Sequence, residues 1–208
     1  MSLQTIIDFL EPVSIAQLSN DEGFRDTQLG RHIAVYDEVF PDIDHADLVL
    51  VGCGEMRGAG IQYTHTDAPD AIRNEYYKLF HWHTDVNVAD IGNVKCGATL
   101  QDSYAALRMV VNELIALNKK VVILGGSHDL TMAQYAAYGP LNKIIDTVCV
   151  DARMDLDMES VLPADNFLVD LFTGTPNHLR HYTHIGFQSY FLHPQMLETI
   201  DKLRFDCY

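Results

Sequence analysis

From Asp47 onward the chain alternates short apolar runs with longer stretches in which apolar residues return every three or four positions. Leu48–Val51 is a continuous apolar run closed by Gly52, and Val121–Leu124 is another, closed by Gly125 and Gly126. Val86–Ile91 ends at Gly92, and Ile144–Val150 runs into Asp151. Runs of this kind read as buried strands of a parallel sheet. Between them, Ser103–Leu117 places Ala106, Leu107, Val110, Val111, Leu114, Ile115 and Leu117 at helical spacing, an amphipathic helix. Asp70–Leu79 behind Pro69 and Leu130–Tyr138 before Gly139-Pro140 read as two more helices, and Thr183–Phe187 as a last strand. Residues 1–46 are weakly periodic: Ile6, Ile7, Phe9 and Leu10 suggest a short helix or strand stopped by Pro12, and Ser14 suits a helix start. That region reads as an N-terminal arm or cap. Strand and helix alternate through 47–208 with no linker or repeat, so the expectation is one α/β domain over 1–208 with 47–208 as its parallel core.

Composition narrows the partners. With 208 residues, 48% apolar and 21% charged, the chain can bury a core without disulfides or a structural metal. Its 14 Lys and Arg against 29 Asp and Glu give a net charge of −15. That charge repels phosphate backbones and makes nucleic acid and anionic membranes poor partners, while also serving solubility. No apolar run approaches the roughly 18–20 residues of a membrane span. The N-terminal MSLQTIIDFLEPVS lacks the basic region of a signal peptide. Cys53, Cys96, Cys149 and Cys207 form no C-x-x-C pair and are expected to be free thiols in a reducing cytoplasm.

Ligands of parallel sheets bind beyond the carboxyl ends of strands. Strand Val121–Leu124 delivers Gly125-Gly126-Ser127-His128-Asp129, and Ile144–Val150 delivers Asp151-Ala152-Arg153-Met154-Asp155. Were these strands adjacent, His128, Asp151 and Asp155 would share one rim, an imidazole and two carboxylates suited to Mn2+ or Zn2+. Gly125 and Gly126 would let the backbone turn sharply and approach a ligand. On residues alone, a loop histidine with helix-capping aspartates is the competing reading. The Gly52–Gly60 loop departs from G-x-G-x-x-G and no strand-ending acidic residue follows at ribose distance, which argues against a dinucleotide site. His81 and His83 lack a third ligand and read as surface or packing residues. His178, His181 and His184 are spaced by three, but the strand Thr183–Phe187 breaks a shared helix face. Ser127 lies in G-G-S-H-D rather than a nucleophile elbow.

The stretches VLVGCGEMRGAG, DAPDAIR, ADIGNV, VVILGGSHDLT, VCVDARMDLD and HIGFQ resemble, in order and spacing, the ureohydrolase superfamily of arginase, agmatinase and formimidoylglutamase, over roughly residues 47–190. The resemblance implies a three-layer α-β-α fold with a mainly parallel sheet. It further implies a site for two Mn2+ ions that bridge and activate a water, whose hydroxide attacks a guanidino or formimidoyl carbon. By resemblance His128, Asp151 and Asp155 are metal ligands, and the glycine loops, Gly125 and Gly126 among them, lie on the substrate side. The long arm and the absence of arginase-type loop motifs tilt the resemblance to the formimidoylglutamase-like branch of histidine metabolism, in which N-formimidoylglutamate yields glutamate and formamide. A small-molecule substrate, a homo-oligomer and a cytoplasmic location go with it.

Two departures stand out. Arg153 occupies the place of a ligand histidine; it cannot ligate, and a guanidinium between Asp151 and Asp155 would pair with them in the metal's stead. The later S-x-D-x-D-x-x-D-P stretch is absent, which leaves three of six ligands. Pro163-Ala-Asp-Asn166-Phe occupies the region where the family keeps a proton-shuttling histidine, and no catalytic residue is assigned. The last strands of the family sheet would follow Tyr208, so the chain is expected to be a fragment, or a partner to cover the exposed edge. The alternative to a hydrolase is a catalytically inactive arginase-fold binding or assembly protein.

Overall fold

A computed structural model of the protein describes residues 3–19, 23–62 and 67–208. Residues 63–66, between the Gly52–Gly60 loop and Pro69, lie outside the described residues, as do residues 1–2 and 20–22 of the N-terminal stretch. The chain divides into two compact units: Met1–Arg57 with Ile61–Ser127, and Gly58–Gly60 with His128–Tyr208.

The first unit contains α1 (Leu3–Ile7), β1 (Leu10–Glu11), α2 (Ile15–Leu18), β2 (Ala34–Val35), β3 (Leu48–Cys53), α3 (Ala68–Tyr76), β4 (Val88–Val94), α4 (Leu100–Ala116) and β5 (Lys120–Gly125). Its sheet runs β1-β4-β3-β5, with β2 also on β4. β3 is central and parallel to both neighbours, Leu48 opposite Val88 on one side and Lys120 on the other. Its residues beyond Leu48 are all buried, as the continuous apolar run requires. α4 begins three residues before Ser103 because a capping box fixes its start: Asp102 N–H donates to Thr99 Oγ1 and Thr99 N–H to Asp102 Oδ2. β4 does not end at Gly92 as expected. Gly92 sits at φ +84°, and a Cβ there would lie 2.1 Å from the Glu11 carbonyl oxygen. The glycine admits β1 alongside and lets the strand continue.

The second unit contains α5 (Leu130–Tyr138), β6 (Ile145–Val150), α6 (Pro163–Thr173), β7 (Leu179–Ile185), α7 (Pro194–Lys202) and β8 (Asp206–Cys207). Its sheet is wholly parallel in the order β6-β7-β8. The core gathers Tyr135, Met154, Leu156, Phe167, Leu168, Leu171, Tyr182 and Ile200. α6 and α7 were not expected, although each opens on a proline, which suits a first helical turn. β6 is not buried on both faces: Ile145 and Cys149 pack on the core, while Val148 and Val150 are 61% and 75% exposed. The pairings seen among the described residues lie within each unit: β5 pairs with β3, and β6 pairs along Leu179–Ile185 with β7, rather than with each other.

Candidate metal centre

His128, Asp151 and Asp155 do converge, but through turns of the second unit rather than a shared strand ladder. His128 lies in the turn that opens α5, where its carbonyl accepts from Thr131 N–H at 3.1 Å. β6 stops at Val150; Asp151 N–H then donates to the Ile185 carbonyl at 3.1 Å, and the chain turns. Within the turn Arg153 N–H donates to Asp151 Oδ1 at 2.9 Å, an aspartate-stabilised turn. Asp155 is tied back by its carbonyl, which accepts from Leu168 N–H at 3.1 Å. His128 Nδ1 stands 2.9 Å from Asp155 Oδ2 and 3.8 Å from Asp151 Oδ2. One ligand atom from each of the three lies within 4.8 Å of the others, the one such group of His, Cys, Asp and Glu among the described residues.

Asp155 is 12% exposed and His128 56%, so the cluster opens to solvent on the imidazole side. The Asp155 hydrogen bond holds the imidazole above its ordinary pKa against the opposing effect of burial, and the charges of Asp155, Asp151 and Asp129 add to it. One imidazole and two carboxylates on separate turns are donors that a hard or borderline divalent cation takes. The residues therefore fit one metal position.

Arg153 does not sit between the two carboxylates. Its guanidinium carbon lies 5.1 Å from the centroid of the Phe191 ring, a cation–π contact, and among the described residues no ion pair joins it to Asp151 or Asp155. The turn accounts for this: the main-chain N–H of Arg153 engages Asp151, while its exposed side chain rests on the aromatic ring. Gly126 makes its close approach to the chain itself. A Cβ there would lie 2.1 Å from the Glu55 carbonyl oxygen, which accepts from Ser127 N–H at 3.0 Å and Ser127 Oγ–H at 3.2 Å. Gly125 closes β5 opposite Cys53.

Among the described residues the other histidines join no such group. His81 stacks on His32 with centroids 4.2 Å apart. On β7, His181 pairs with Asp206 at 2.9 Å, and His184 is fully buried. The spacing of His184 from His181 and His178 gave no hint of its burial, and Arg73 had no reading at all: wholly buried, it donates to Asp90, Asp70, Asn93 and the Gly92 carbonyl. The spacing Asp70, Arg73, Tyr77 on one helix face was the available signal.

Comparisons with known proteins bear on the whole arrangement. The family model of the arginase family matches residues 46–204. No curated protein matches the chain. Among solved structures, an arginase superfamily protein from Trypanosoma cruzi is similar over 88% of this chain and 65% of its own, with TM-score 0.69 and 15% identity. A formiminoglutamase from Trypanosoma cruzi with Mn2+ matches over 80% of this chain and 61% of its own, with TM-score 0.66 and 15% identity. A formimidoylglutamase from Bacillus subtilis matches over 88% and 60%, with TM-score 0.70 and 14% identity. The chain thus spans about three fifths of the length of these structures. They share its arginase-like α/β fold with a mainly parallel sheet. No helix of the described residues is long and apolar enough to cross a membrane. With a family match extending over most of its length, the chain belongs to the arginase family.

Proposed function

We propose that His128, Asp151 and Asp155 hold one Mn2+ ion and that the protein is a ureohydrolase of the formimidoylglutamase-like branch, cleaving a linear C–N bond in a small amidine such as N-formimidoylglutamate. The observation that carries this reading is the convergence of one imidazole and two carboxylates within 4.8 Å in a chain of this family. Two carboxylates at such a distance repel each other unless positive charge lies with them. His128 meets that need in part, through its bond to Asp155. His128 would hold the ion through a ring nitrogen free of its proton, so binding would compete with protonation of the imidazole. When bound, Mn2+ supplies Lewis acidity and lowers the pKa of water. Asp151 and Asp155 orient from turns anchored to β7 and α6, which limits how far the donors can drift.

We take residues 1–208 as one arginase-like domain and expect a homo-oligomer. The four cysteines are all free thiols, which supports a cytoplasmic setting. A second reading, an inactive arginase-fold binding or assembly protein, is favoured by Arg153, which by the family resemblance stands in the place of a ligand histidine and rests on Phe191.

The test is turnover of N-formimidoylglutamate by the Mn2+-loaded chain, followed as glutamate released. Release that needs Mn2+ and disappears in Asp155→Asn supports the hydrolase. Bound Mn2+ without release supports the second reading, and release unchanged in Asp155→Asn rejects the assigned site.

A further inference from the structure

His184 is a polar side chain with no exposed surface, and both of its ring nitrogens are engaged. Nδ1 lies 2.8 Å from the Tyr182 hydroxyl, and Nε2 lies 2.9 Å from the main-chain carbonyl oxygen of Asp151. A carbonyl can only accept, so Nε2 carries the hydrogen and Nδ1 accepts from Tyr182. Tyr182 is equally buried, and burial together with the Cys149 thiol beside it pushes its hydroxyl well above its ordinary pKa, so it keeps the proton it donates. The two residues form a short directed chain, Tyr182 to His184 to the Asp151 carbonyl, inside the core of the second unit.

The far end of that chain is where β6 gives way to the metal-binding turn. Asp151 N–H already donates to the Ile185 carbonyl, and Gln188 N–H donates to the Ala152 carbonyl at 2.9 Å. The Asp151 carbonyl is thus the peptide group between two backbone tethers, and a side chain, not the ladder, holds it. Without His184 that carbonyl would lie against the core with no bond, a cost that favours rotation of the peptide and of the carboxylate beyond it.

We propose that His184 is a positioning residue: by donating to the Asp151 carbonyl from within the core, it fixes the backbone from which Asp151 and Asp155 reach His128. The proposal rests on the metal reading given above for its consequence in binding, but not for its effect on the turn. The test uses the full 208-residue chain, with His184→Phe, which removes both bonds, and His184→Gln, whose amide nitrogen can stand near the Nε2 position. Two quantities are read: amide hydrogen exchange over residues 150–156 in chelator, and Mn2+ affinity from the loss of the free-ion electron paramagnetic resonance signal.

The expected result is about tenfold faster exchange in that segment for His184→Phe, Mn2+ binding weakened by about tenfold or more, and recovery of most of both by His184→Gln. Unchanged exchange and affinity in His184→Phe overturn the proposal. So does a His184→Gln chain as impaired as His184→Phe, since that would assign the ring's role to its shape. Should the phenylalanine chain fail to fold, His184→Gln against His184→Asn, which keeps only the Nδ1 side, decides in the same way. Faster exchange in a series whose parent binds no Mn2+ supports the positioning role and overturns the metal reading.

Discussion

Each unit of this molecule gathers aspartates around a basic side chain, and the two gatherings differ in what they leave unfinished. In the first unit, Arg73 spends all five of its N–H donors: two on Asp90, one each on Asp70 and Asn93, and one on the Gly92 carbonyl. Asp90 in turn accepts from Tyr77 Oη–H and Gly92 N–H. Every polar group in that knot has its partner, and Arg73 and Asp90 have no exposed surface. In the second unit one imidazole serves two carboxylates, one of them 3.8 Å away, and more than half of the His128 side chain faces solvent. A saturated cluster has nothing left to offer a ligand. A cluster with excess negative charge and open lone pairs does, and that distinction, more than residue type, separates scaffold from site.

The sharpest way to break the comparison is Arg73→Met. If the first cluster is scaffold, removing its cation strands buried Asp90 and costs about 3–5 kcal/mol of unfolding free energy in urea. Mn2+ affinity of the folded fraction should stay as in the parent chain. Asp155→Asn should do the reverse: Mn2+ affinity falls more than about a hundredfold, while the metal-free chain loses only about 1 kcal/mol, since the bond to half-exposed His128 is worth little more.

Arg153→His sharpens the comparison from the other side. It restores a possible ligand on the turn between Asp151 and Asp155 and should tighten Mn2+ binding by about tenfold, roughly 1.4 kcal/mol, as read by isothermal titration. Unchanged affinity would mean that the turn holds position 153 too far toward Phe191 to reach the metal.

The smallest effect concerns pH. Glu55 is buried, which raises its carboxyl pKa, but the hydrogen bonds from Arg57 and Ser103 more than offset this and leave it below the ordinary value. A group whose pKa is lowered on folding adds stability above its unfolded value and loses it as pH falls through the folded one. The parent chain should therefore lose unfolding free energy below about pH 4.5, the ordinary glutamate value. Glu55→Gln should show a shallower loss over the same range, seen by circular dichroism in urea at stepped pH.

Much of this was legible in the sequence, for reasons that are local. The run at Leu48–Val51 and the period of Ser103–Leu117 were strong because burial on both faces of a strand leaves a continuous apolar run and burial of one helix face returns every three or four residues; Val121–Leu124 also forms a strand, though of that run only Leu124 is buried. His128, Asp151 and Asp155 were singled out because they follow strands, and their side chains do converge, through turns rather than a shared ladder. What failed depended on partners far along the chain. Gly92 looked like a terminator until Glu11, a distant residue, proved to be what its missing Cβ accommodates. Arg153 looked interposed between two aspartates, and only Phe191 explains where it goes. His184 looked like one of three evenly spaced histidines; its bond to Asp151 crosses between strands and has no sequence signature. The α6 period at Ala164, Phe167, Leu168 and Leu171 was present and passed unread beside Pro163.

The most direct test of the central claim is bound manganese per chain, by elemental analysis after incubation with Mn2+ and desalting, on the parent chain and on Asp155→Asn. The account predicts about one Mn2+ per parent chain and close to none in the variant. Equal manganese in both, or none in the parent, would contradict it.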